Sequence, residues 1–94
     1  MRTISTSKPN TVLKKKLCDL FGLAIVANTS EDFDIWFELT GHVDWIELRI
    51  CPKRSYRQIF QERMYYQGSM YEPKKCDAII KRCTQELLKI INPQ

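Results

Sequence analysis

The chain has one histidine, three glycines and no two cysteines closer than seven residues. Each scarcity excludes a chemistry. A cysteine or serine nucleophile needs a positioned base, and His42, the sole histidine, falls in a predicted turn. The glycines stand apart at positions 22, 41 and 68, so no glycine-rich loop exists to cradle a phosphate. Cys18, Cys51, Cys76 and Cys83 are separated by 33, 25 and 7 residues, without the closely spaced pairs of a structural zinc site. Glu31, Asp32, Asp34, Glu38, Asp44 and Glu47 lack the loop spacing of a calcium site and read better as a solvated strand face. The expectation is a protein that is not an enzyme and takes no cofactor, metal or small-molecule substrate.

Long apolar runs are also missing. Nothing approaches the roughly 18 residues of a membrane span, and the first eight residues lack the apolar centre of a secretory signal. A cytoplasmic protein without membrane association is expected, its thiols reduced. The Asn28-Thr29-Ser30 glycosylation sequon is then idle.

What is present suits one small folded domain. The 94 residues are 44% hydrophobic and 28% charged, enough for a single core and too few for two. Residues 1–8 read as a flexible tail and 9–94 as the domain. Charge is segregated: residues 1–27 carry five bases and one acid, 28–51 one base and six acids, and 52–94 nine bases and four acids. Opposite charges on neighbouring elements account for this pattern without any partner.

Val12, Leu13, Leu17, Leu20 and Phe21 recur at helical spacing and predict a helix over 9–21, stopped at Gly22. The uninterrupted apolar run Leu23–Ala27 predicts a covered strand. Phe33, Ile35, Phe37 and Leu39 then alternate with polar and Trp positions, and a second alternation follows Gly41. This is a hairpin signal. A two-residue Gly41-His42 type II′ turn would set Phe37 opposite Ile46 and Ile35 opposite Leu48 on one face, with Trp36 opposite Glu47 and Glu38 opposite Trp45 on the other. After Pro52, Ser55-Tyr56-Arg57-Gln58 has the form of a capping box and predicts a helix over 56–66, with Tyr56, Ile59, Phe60 and Met64 inward and Gly68 as its stop, although Tyr65 and Tyr66 suit an extended segment equally well. Pro73 opens a last helix over 73–91, with Cys76, Ile79, Ile80, Cys83, Leu87, Ile90 and Ile91 on its core face. The fold class is α+β: a three-stranded antiparallel sheet with two or three helices mainly on one face, in the order α-β-β-β-(α)-α.

Two surfaces stand out. In the hairpin register above, Trp36 and Trp45 are diagonal neighbours on the side away from the core, framed by Asp34, Glu38, Glu47 and Arg49. Aromatic anchors inside a charged rim have the make-up of a protein interface centre. The competing reading is that residues 52–71, rich in aromatics, fold behind the sheet and cover them. On the last helix, Lys74, Lys75, Lys81, Arg82 and Lys89 fall within roughly 120° opposite the core stripe. Such a stripe can track phosphates without reading sequence, or be an ordinary wet face.

The element order, the Gly41-His42 pair entering a strand and Lys74-Lys75 opening the last helix resemble a double-stranded-RNA-binding domain. Where those domains carry a Gly-Pro-x-His loop this chain has Thr40-Gly41-His42, and where they carry a glycine-rich run before the lysines it has Tyr71-Glu72-Pro73. The resemblance is one of element order and implies no binding residues. The function expected first is a small interaction module, of the accessory, regulatory or inhibitor kind found in phages and other mobile elements. It would bind a protein partner or form a homodimer through the Trp-bearing face. Nucleic-acid binding by the basic helix face is the alternative.

Overall fold

The computed structural model describes residues 11–55 and 57–93. The expected tail over 1–8 and the inward placement of Tyr56 lie outside them. The chain forms α1 (Thr11–Ala27), β1 (Phe33–Thr40), a short 3-10 turn (Gly41–Val43), β2 (Trp45–Pro52), β3 (Phe60–Tyr65) and α2 (Pro73–Ile91). It is an α+β fold with a three-stranded antiparallel sheet in the order β1-β2-β3. Ile46, Leu48 and Ile50 alternate along one face of β2 and share a single buried cluster with Leu20 and Ala24 of α1 and Cys83 and Leu87 of α2. Both helices therefore cover the same face of the sheet. Among the described residues no helix lies over the opposite face.

The helix expected to stop at Gly22 continues to Ala27, and the strand expected over 23–27 is its last turns. The burial of Leu13, Leu20, Ala24 and Ala27, spaced by seven, four and three, explains why. Gly22 lies on the outer side, where an added Cβ would meet nothing within 4 Å, so nothing forces a left-handed stop. An interior glycine costs about 1 kcal/mol against alanine. Burying Ala24 and Ala27 and adding hydrogen-bonded turns offsets this. The helix ends through its own side chains, with Thr29 Oγ1 donating to the Val26 carbonyl at 2.7 Å.

The hairpin forms, with a longer loop than the expected two residues. Gly41–Asp44 connects the strands, and Asp44 takes the left-handed conformation at φ 58°. This places Ile35 opposite Ile50, Phe37 opposite Leu48 and Leu39 opposite Ile46, two residues displaced from the expected pairing. Side chains alternate with a period of two, so the displacement leaves every residue on its expected face. Asp44 fixes the longer loop: its carbonyl accepts from Tyr66 N at 3.1 Å and its Oδ1 from Gln67 Nε2 at 2.8 Å.

The segment expected as a helix over 56–66 contains β3 instead. Phe60 and Met64, four apart, satisfy a helical stripe and a strand face equally, and pairing with β2 satisfies a row of backbone groups that would otherwise be an open edge. Ser55 caps no helix; its Oγ accepts from Arg57 N at 3.1 Å in a local turn. The third strand thus comes from after the hairpin, not before it. α2 spans the expected range and buries Cys76, Ile79, Ile80, Cys83 and Leu87. It packs beside β3, where Cys76 Sγ lies 3.9 Å from Met64 Sδ.

Candidate functional site

The pairing of the three strands arranges the uncovered face in rungs. From one end these are Asp34 with Cys51, Trp36 with Arg49 and Gln61, Glu38 with Glu47 and Arg63, and Thr40 with Trp45 and Tyr65. Asp34, Trp36, Glu38, Trp45, Glu47 and Arg49 share this face, as the alternation requires. The two indoles are not diagonal neighbours, because the longer loop moves Trp45 opposite Thr40 and sets the glutamate rung between them.

They also differ in surroundings. Trp36 is 49% exposed. The Arg49 guanidinium lies 5.5 Å from the centre of its ring and is hydrogen-bonded to Glu38. Trp45 is half-buried: Arg63 covers its ring at 3.8 Å, and Tyr65 meets it edge-on with centroids 5.9 Å apart. The 52–71 segment does not fold behind the sheet as the competing reading has it: β3 joins the sheet edge, and Arg63 and Tyr65 cover Trp45 from there while Trp36 stays half-exposed.

Glu38 and Glu47 stand directly opposite each other, a repulsive arrangement on its own. Arginines on two sides resolve it. Glu47 accepts from Gln61 Nε2 at 2.9 Å and Arg63 at 3.1 Å, with Arg49 Nε at 3.4 Å. Burial works against the Glu47 charge, but the hydrogen bonds from Gln61 and Arg63 and the charges of Arg63 and Arg49 outweigh it. They hold the carboxyl below its ordinary value. Beside Trp36, a cavity of about 470 Å³ is lined by Asp34, Trp36, Arg49, Cys51, Arg54, Ser55 and Gln58. The face thus offers one half-exposed indole, a network of fixed charges and a recess.

Gln61, Arg63 and Tyr65 were not foreseen as members of this face. Their alternation with Phe60, Glu62 and Met64 was the available signal, and the Ser55-Gln58 capping pattern masked it.

No family model, curated protein or solved structure matches the chain.

The basic residues of α2 separate into two sets. Lys74, Lys75 and Lys81 are exposed. Arg82 is tied to Glu62 through Nε at 2.8 Å, and Lys89 to Glu86 at 3.1 Å. Among the described residues no cluster of three or more His, Cys, Asp or Glu side chains is placed to hold a metal, and no helix is long and apolar enough to cross a membrane. All four cysteines are free thiols, with Cys18 exposed and the others buried. Burial pushes the Cys76 thiol up, and that of Cys83 up to about 12. Thiols so held are protonated and act as small hydrophobes.

Proposed function

We propose that this protein is a non-enzymatic interaction module that takes a protein partner, or a second copy, on the uncovered sheet face with Trp36 as the anchor. The reading rests on one contrast: of two tryptophans on the same face, one is covered by its own chain and the other is left half-exposed beside a recess. Burying such a ring in an interface commonly contributes on the order of 2 kcal/mol, and a rim of paired charges adds register more than affinity.

The test places a photo-crosslinking amino acid at Asp34, beside Trp36, and irradiates the protein in an extract of its source cells. A defined protein adduct, or a covalent dimer, that is lost on Trp36→Ser at unchanged melting temperature supports the reading. Adducts indifferent to that substitution, or none, sink it.

Nucleic-acid binding is the second reading, favoured by the exposed Lys74, Lys75 and Lys81 on the outer side of α2. It requires retention on nucleic acid near 50 mM salt that fades steeply by about 200 mM. Charge reversal at Lys74 and Lys75 must weaken it whatever the base sequence.

A further inference from the structure

β1 is a terminal strand of the sheet, and its free edge is built differently from that of β3. β3 turns Glu62 toward the helices, where it bonds Arg82, and an inward charge of that kind discourages any added strand. Among the described residues β1 carries no inward charge of that kind. Its helix-side row is Phe33, Ile35, Phe37 and Leu39, and the strand contains no proline, lysine or arginine. Ile35 donates its N–H away from β2, to Asn28 Oδ1 at 3.0 Å. Residues two apart in an antiparallel ladder point their backbone groups the same way, so those of Phe37 and Leu39 also face the open side.

Alongside this edge runs an apolar groove. Phe21, Ala24 and Ile25 of α1 form one wall and Ile35 and Phe37 of β1 the other, with Asn28 at the end, around about 190 Å³. The Phe21 and Phe37 rings meet at 5.3 Å, while Ile25 is 56% and Leu39 64% exposed. The other side of the edge carries Asp34 in the outer row, with Glu31 and Asp32 before the strand, while Glu38 in the same row is already bound by Arg49. Asp34 makes no ion pair with the described residues.

We propose that the β1 edge binds an extended protein segment as a fourth strand, and that this segment alternates apolar residues with lysine or arginine. Backbone groups of Phe37 and Leu39 supply the ladder, the apolar residues enter the Phe21–Ile25 groove, and a basic residue meets Asp34. This is strand addition, in which the ladder gives affinity and alternate side chains give selectivity. A second copy of β1 does not fit the edge. Paired strands sit about 4.8 Å apart, whereas helices need about 8 to 10 Å, so the two α1 helices lying over paired β1 strands would overlap.

The experiment is a fluorescence-polarisation titration with a labelled six-residue peptide alternating lysine and valine, against a control with glutamate in place of lysine. The lysine peptide should bind, and the glutamate peptide should be at least about tenfold weaker. Leu39→Pro removes a donor only from the open side, a position where an edge strand tolerates proline. Ile25→Glu charges the groove wall on an exposed helix position. Each should weaken the lysine peptide about tenfold or more, with circular dichroism confirming the fold. Ile25→Glu decides the matter if Leu39→Pro does not fold. No binding at about 1 mM, equal binding of both peptides, or a folded Ile25→Glu protein that binds as the native one does, overturns the proposal. So does a dimer in sedimentation that Leu39→Pro dissolves, since a second copy would then hold the edge.

Discussion

Arg63 spreads its guanidinium 3.8 Å from the centre of the Trp45 ring while the same side chain donates to Glu47 at 3.1 Å. One cation thus closes an aromatic contact and a carboxylate contact at once, and Trp45 belongs to the architecture of the sheet. Trp45→Ala should cost about 2 to 4 kcal/mol in urea unfolding. Trp36→Ala, on the same face without that cover, should cost less than about 1 kcal/mol. Equal losses at the two positions would contradict the distinction between them.

The carboxyl of Glu47 also makes stability depend on pH. Its folded value is lowered from an unfolded value of about 4.3, so the stabilisation is present above that pH and is lost as the pH falls through the folded value. Glu47→Gln should therefore be less stable by about 1 kcal/mol at pH 7, with the difference shrinking below about pH 4. Melting temperatures of both proteins across pH 2 to 7 give the comparison. A gap that stays constant to the acid end would mean the charge contributes nothing.

Two glycines should respond to alanine in opposite directions. Gly22 is interior to α1 with open space around it, so Gly22→Ala should stabilise by about 0.5 to 1 kcal/mol. Gly68 has φ +83° and an added Cβ would lie 3.2 Å from Asp44 Oδ2, so Gly68→Ala should destabilise by about 1 kcal/mol or more. Thermal melts decide the sign at each position.

Thiol titration should be biphasic. Cys18 is exposed, whereas Cys51, Cys76 and Cys83 are buried. One thiol should react with a disulfide reagent within the mixing time at pH 8, and the other three only at the rate of opening or after denaturation. Four fast thiols in the folded protein would mean that the helix-sheet seam is open.

Some elements declare themselves along the chain, and the reasons are physical. α2 is readable because its apolar stripe and lysine face differ sharply around one cylinder. The faces of the β1–β2 hairpin survive an error in loop length because a two-residue displacement preserves parity. Leu23–Ala27 is ambiguous because a short, wholly apolar run has no period to measure, and only its contact with Leu20 and the sheet makes it helical. Phe60 and Met64 fit either period, and the choice falls to β2, whose second edge needs a partner. Trp36 could be placed on the open side from alternation alone. Trp45 could not be assigned its cover, because Arg63 and Tyr65 lie on the segment whose period misleads.

Both helices sit behind one side of the sheet, so the aliphatic side chains of the core and the polar and aromatic ones of the outer row alternate along the same strands. Alterations at Asp34, Trp36 or Gln61 should change the outer surface while leaving Leu48, Ile50 and Leu87 packed as before. A scaffold partitioned in this way can have its outer surface recast through single substitutions, without first having to be rebuilt.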